Sequence, residues 1–219
     1  MIKEIRLINT LPHVFRGMEN VAPVNRSQVW LQEVTFTRPG FYMIEAESGT
    51  GKSSLCSFIY GSRGDYQGEI LFDGRNVREL SIDDWCRIRT HSLAYLPQEM
   101  HLFPELTVEE NILIKNRLTD CRSGRWISEA LEMLEIEGKI HSKAALLSVG
   151  QQQRVAIVRA LCQPFDFLLI DEPVSHLDSR NNAIVASLID REAKANNASV
   201  IATSVGNKIA LEINSTLLL

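Results

Sequence analysis

No apolar run in the sequence approaches the roughly 20 residues needed to cross a bilayer. Its start, Met-Ile-Lys-Glu-Ile-Arg, lacks the apolar stretch of a signal peptide. The expectation is a chain that stays in the cytosol. Cysteine is sparse: Cys56, Cys86, Cys121 and Cys162 are widely and irregularly spaced. That spacing excludes a disulfide framework and paired metal ligands, and leaves reduced, partly buried thiols. The five histidines are equally scattered and form no H-x-x-x-H or Cys/His cluster of the kind that binds zinc. Basic charge is not in excess. A formal net charge of -4 argues against nucleic acid as the main partner, so none is expected. What remains is an ordinary globular composition, 45% hydrophobic and 23% charged over 219 residues. It suits one large domain, or one core with a smaller subdomain, rather than a repeat array.

The most informative stretch is Ala46 to Ser54, Ala-Glu-Ser-Gly-Thr-Gly-Lys-Ser-Ser, directly after the apolar run Phe41 to Ile44. A strand that ends in a glycine-containing turn and opens a helix aims several backbone N–H groups at one point. The helix N-terminus adds a partial positive charge of about half a unit. Ser48, Gly49, Thr50, Gly51, Lys52, Ser53 and Ser54 therefore read as a phosphate-binding loop, with an ordinary Gly/Ser turn as the alternative. Lys52 supplies a full charge to the β- and γ-phosphates, and the Ser53 hydroxyl is placed to ligate Mg²⁺. Ala46 stands at the first glycine position, a cost in backbone freedom if the loop needs a positive φ there.

Around this loop the chain alternates strands and helices. Ile2 to Ile8 alternate apolar and charged residues and predict an antiparallel strand near an edge. Arg16 to Ser27, with Gly17, Pro23 and several Asn, read as a loop. Val29 to Phe36 predict a second strand, turned by Pro39-Gly40 into the strand that feeds the phosphate loop. A helix over Lys52 to Tyr60 should stop at Gly61. Glu69 to Phe72 before Asp73-Gly74 predict a strand entering a tight turn, and Ser81 to Ile88 a short helix with a Ser-x-x-Asp start. Ser92 to Leu96 predict a strand followed by Pro97 and Gln98, and open α/β sheets contact ligands at such strand ends.

From about Glu99 the period becomes helical. Capping boxes are expected at Thr107/Glu110 and Ser148/Gln151. An amphipathic helix is expected over Trp126 to Leu134, ended by Gly138. Phe167 to Ile170 are a continuous apolar run, as in a central parallel strand buried on both faces. Ala183 to Ala195 predict a helix and Ser199 to Thr203 a strand. A short helix and a last strand over Thr216 to Leu219 follow. The fold class expected is α/β: a P-loop core with a mostly parallel central sheet, an N-terminal antiparallel β portion and an inserted α-helical subdomain.

The buried run ends in Asp171-Glu172-Pro173. Two carboxylates at the end of a buried strand are expensive unless a cation or a reaction requires them. Asp171 can hold Mg²⁺, directly or through water, and Glu172 can polarise a water for in-line attack on a γ-phosphate.

With these residues in place, the chain resembles the nucleotide-binding subunit of an ATP-binding cassette (ABC) transporter over nearly its whole length. The resemblance rests on six segments in order. They are the phosphate loop, Gln98 at the Q-loop position, Leu106 to Asn111 at the start of a helical subdomain, and Leu147-Ser148-Val149-Gly150-Gln151-Gln152-Gln153-Arg154 at the signature position. Phe167 to Glu172 and Ser175-His176-Leu177-Asp178 at the D-loop complete the set.

The resemblance implies a single domain over residues 1–219, with a RecA-like core of 1–98 and 155–219 and a helical subdomain of 99–154. It implies ATP with Mg²⁺ (Ser53, Gln98 and Asp171 as metal contacts) and catalysis by Glu172 with Gln98. It also implies head-to-tail pairing with a second subunit, identical or not, so that Ser148, Gly150, Gln151 and Asp178 complete the other chain's ATP site. Gln98 would signal to an integral membrane subunit docked near Glu99 to Pro104, which puts the chain on the cytoplasmic face of the membrane.

Phe15 stands near the family's adenine-stacking aromatic, with a core role as the alternative. The family's switch histidine is missing: Thr203-Ser204-Val205-Gly206 put Ser204 or Val205 there. Val149 replaces the first glycine of the signature pair. These departures imply slow hydrolysis by a homodimer, or pairing with a different subunit. His176 is either a solvent-facing loop residue or a stand-in for the lost imidazole.

An ATP-gated clamp with weak hydrolysis is the alternative reading. A P-loop GTPase lacks its guanine-reading Asp in Asn207-Lys208-Ile209-Ala210, and no kinase constellation appears. ABC ATPases of DNA or ribosomes carry insertions or second cassettes that this chain does not have.

Overall fold

A computed structural model describes the whole chain, Met1–Leu219. The alternation at the N-terminus builds β1 (Glu4–Pro12), which pairs antiparallel with both β2 (Glu33–Thr37) and β4 (Tyr66–Phe72). β1 is therefore interior and not an edge strand. Alternation reports only that one face is buried, and Ile5 and Leu7 point inward while Glu4 and Arg6 stay on the wetter face. Asp73 and Gly74, both at positive φ, turn β4 into the short β5 (Arg75–Asn76).

The strand expected from Val29 begins only at Glu33. Ser27 caps the chain with bonds from the Val29 and Trp30 N–H groups, and Leu31 turns it at φ 58°. Val29 and Trp30 are buried as a turn rather than as a ladder.

The second sheet is parallel, in the order β6 (Leu93–Leu96), β7 (Phe167–Asp171), β8 (Ser199–Ser204), β3 (Gly40–Glu45), β9 (Ser215–Leu218). It divides the protein into two apolar cores. Leu168, Ile170, Val200, Ala202 and Met43 face one, and Phe167, Leu169, Ile201 and Ile44 face the other. This two-sided burial is why β7 reads as an unbroken apolar run. The antiparallel sheet and α1 (Lys52–Ile59) cover one face. The other is packed by α3 (Val108–Asn116), α4 (Gly124–Met133), α5 (Val149–Ala160) and α6 (Ser179–Ala195). The remaining helix, α2 (Ile82–His91), precedes β6.

Capping chemistry sets the helix ends. Capping boxes close Ser81/Asp84, Thr107/Glu110 and Ser148/Gln151. Gly61, at φ 72°, ends α1 as expected. Gly138 does not end α4. Glu135 takes the left-handed conformation at φ 55°, and the Ile136 and Glu135 N–H groups reach back to the carbonyls of Leu131 and Glu132. This is a Schellman closure anchored by buried Ile136, so packing overrides the preference for glycine. The short helix expected between β8 and β9 is absent. That stretch is turn and coil, with Gly206 at φ 81°.

One buried ion pair ties α6 to the α4 segment. The Glu192 carboxylate meets Arg122 at 2.7 Å and accepts from the Trp126 indole at 3.1 Å. Glu192→Ala should strand the Arg122 charge and lower the unfolding free energy by about 3 kcal/mol, measured by denaturant titration.

Candidate functional site

Parallel strands deliver their following residues to one edge of the sheet. Leu96 is level with Ile170, Asp171 with Thr203, and Glu45 with Ser204. Gln98, the Asp171-Glu172 pair, the Thr203-Ser204 stretch and the phosphate loop therefore line up along that edge in strand order.

The loop itself is shaped by two glycines at positive φ, Gly49 (83°) and Gly51 (99°). Gly51 is required twice over: a Cβ there would also come within 3.0 Å of the Trp30 ring and 3.3 Å of Phe15. Ala46 is not at positive φ, so the lost glycine costs the backbone nothing, and its methyl packs against the core beneath. The Trp30 indole N–H donates to the Thr50 carbonyl at 3.0 Å and ties the loop to the antiparallel side of the protein.

Lys52 opens α1 and is only 5% exposed. Its ammonium donates to the Glu47 carbonyl (3.1 Å) and lies 3.5 Å from Glu172 Oε1. The other Glu172 oxygen accepts from Gln98 Nε2 at 3.3 Å. The Glu172 carboxylate is thus held by a cation and an amide at once.

Glu172 sits at φ 51°, a strained conformation for a side chain of its size. The surroundings fix it. Its N–H donates to Thr203 Oγ1, and its carbonyl accepts from Gln153 Nε2 and from Ser175 Oγ. Thr203 donates its hydroxyl proton to Asp171 Oδ1 at 2.5 Å. Thr203 and Gln153 were not singled out as site residues from the sequence. The available signals were a hydroxyl at the end of an otherwise apolar strand and an amide in a helix turn that proves buried.

The cavity at this edge, about 360 Å³, is lined by Ser48, Gly49, Gly51 to Ser54, Gln98 and Glu172, with Val14 and Phe15 as its apolar wall. Phe15 is 8% exposed and packs on Gly51 beside Trp30, whereas Val14 is 71% exposed. Ser53 and Gln98 line the cavity and offer hard oxygen donors of the type Mg²⁺ accepts, while Asp171, 1% exposed and bonded to Thr203, lies beneath and does not line it. No cluster of three His, Cys, Asp or Glu forms a protein cage. That donor set fits an ion carried in by a triphosphate.

The signature residues lie elsewhere. Ser148 caps α5, its side chain bonded to the Gln151 N–H and Gln151 bonded back, and none of Ser148, Gly150 or Gln151 lines the cavity. Asp178 caps α6, and the Asn181 backbone N–H and side-chain amide hold its carboxyl below the usual range. At the switch position Ser204 is buried and donates its hydroxyl to the Asn207 carbonyl at 2.7 Å, while Val205 is exposed. Neither lines the cavity.

Beneath Asp171 the neighbours are kept neutral. Burial, and then the Asp171 carboxylate, push the Cys56 thiol up; burial does the same to the Tyr95 phenol, with smaller contributions from Cys56 and Asp171. No second anion competes there with Asp171.

A triphosphate-shaped loop, an adjacent carboxylate pair and a parallel sheet define the chain as a P-loop nucleoside-triphosphatase. Residues 33–175 match the family profile described as ABC transporter. Among curated relatives, the lipoprotein-releasing system ATP-binding protein LolD of Buchnera aphidicola is 31% identical over 190 residues, covering 84% of this chain and 80% of that protein. The uncharacterized ABC transporter ATP-binding protein YclH of Bacillus subtilis is 31% identical over 192 residues, covering 85% and 84%. Among solved structures, the ATP-binding cassette MJ0796, in a dimeric post-hydrolysis state bound to ADP and Pi, aligns with a TM-score of 0.73. It is 26% identical, covering 93% of this chain and 88% of that one.

The chain belongs to the ABC transporter family. It is an ATP-binding and ATP-hydrolysing subunit of a transporter. No helix is long and apolar enough to cross a membrane.

The four cysteines are free, Cys56 and Cys162 buried and Cys86 and Cys121 exposed. Burial pushes the Cys162 thiol up to about 12. Because the thiolate is the nucleophile, an alkylating reagent at mildly alkaline pH should modify Cys86 and Cys121 in the native protein. Cys56 and Cys162 should react only after unfolding, as read by peptide mass spectrometry.

Proposed function

We propose that ATP binds with its phosphates on Ser48 to Ser54, Lys52 contacting the β- and γ-phosphates and the base lying toward Val14 and Phe15. Mg²⁺ is held by Ser53, Gln98 and Asp171, and when bound it neutralises phosphate charge. The Lys52–Glu172 contact is the observation that carries this reading. Arrival of the γ-phosphate offers Lys52 a stronger anion, which releases the Glu172 carboxylate to take a proton from the attacking water. Gln98, which donates to Glu172, is placed to register the exchange.

The site is composite. Ser148, Gly150, Gln151 and Asp178 of a second subunit close over the ATP, so the helical segment 99–154 of each chain, together with Asp178 from its core, covers the other's site within one cassette domain. An integral membrane subunit docks near Glu99 to Pro104 and places the chain on the cytoplasmic face. The burial of Ser204 and the exposure of Val205 support slow hydrolysis by a homodimer, since neither supplies the imidazole's contact to the γ-phosphate.

Glu172→Gln should reduce phosphate release at least about a hundredfold and trap an ATP-bound dimer visible by size-exclusion chromatography. Unchanged turnover would remove Glu172 from its role.

A further inference from the structure

The loop after β7 and the start of α5 form one surface. A Cβ on Gly150 would come within 3.1 Å of the His176 carbonyl and 3.6 Å of Leu177 Cδ2, so glycine permits a close contact between the two segments. The backbone of His176 and the start of α5 are therefore direct neighbours. The loop is anchored from within, with the Ser175 N–H on the Glu172 carbonyl and the Leu177 N–H on the Val174 carbonyl. The His176 side chain is nonetheless exposed and stands outside its own chain's nucleotide cavity.

Its ring is oriented by its neighbour in the chain. Nδ1 lies 3.0 Å from Ser175 Oγ. Nε2 is therefore the ring nitrogen left open to a partner outside the chain.

We infer that His176 is a catalytic residue acting in trans: its Nε2–H donates to the γ-phosphate held by Lys52 of the opposite subunit. This supplies the donor that Ser204, turned inward, and Val205, apolar, do not. The inference rests on the composite-site reading above. In the step, the water oxygen bonds to the γ-phosphorus. The bond from that phosphorus to the β–γ bridging oxygen breaks, its electron pair leaving with ADP. The water proton passes to Glu172. His176 transfers no proton; its hydrogen bond strengthens as charge gathers on the γ-phosphate oxygens. The slow turnover expected of the homodimer is the rate this imidazole supports.

Mixed dimers test the assignment. A trace of competent chain is combined with a large excess of Glu172→Gln chain before ATP is added, so that the trace chain supplies the only working carboxylate and the excess chain supplies the facing loop. Adding His176→Ala to the excess chain should lower phosphate release per trace chain at least about tenfold. His176→Ala in the trace chain, facing an excess of Glu172→Gln, should leave the rate at that of trace wild type. The second result also shows that the variant folds. Equal rates in all arms, or a loss in the trace-chain arm, would overturn the inference. If Glu172→Gln forms no ATP-dependent dimer by size exclusion, the composite-site reading itself fails; if Glu172→Gln dimerises but His176→Ala has no effect, only the role of His176 fails.

Discussion

A cation buried to 5% exposure at the start of a helix cannot stay unpaired, and the arrangement of this protein follows from that constraint. Lys52 is held between the Glu47 carbonyl and the Glu172 carboxylate, so the phosphate loop after β3 and the acid after β7 must share one edge. The order β6-β7-β8-β3 meets that requirement by placing only β8 between them. Thr203, at the end of β8, then bridges Asp171 and Glu172 through one hydroxyl, and Gln98 reaches Glu172 from the end of β6.

Residues that carry chemistry through backbone shape were legible in the sequence. Gly49, Gly51 and the Gly-Lys-Ser run point to a phosphate loop because two glycines give the turn its backbone shape and the lysine opens the helix that follows. Three capping boxes fixed three helix starts for the same reason: the side chains that close them are spaced by helix geometry. β7 was legible because burial on both faces leaves no polar position.

Other features were hidden because tertiary packing decides them. The interior place of β1 depends on β4, which lies far along the chain. The end of α4 depends on the burial of Ile136, which lets Glu135 adopt a conformation that its residue type resists. The late start of β2 depends on Ser27 and Leu31. Within the site, Thr203 and Gln153 support Glu172 from a strand and a helix that local patterns treat as ordinary core. Phe15 walls the cavity and also packs against Gly51 and Trp30, so its residue type alone did not separate a ligand contact from a core role.

The bond from the Trp30 indole to the Thr50 carbonyl has a consequence for affinity. With Trp30 fully buried and the Gly51 turn resting on its ring, the loop is clamped from the side opposite the nucleotide. Much of the ordering that a free Gly/Ser segment would undergo on binding has already taken place during folding. On the proposed reading of the site, a nucleotide would meet donors already in position and bind without losing much of its interaction energy to loop entropy.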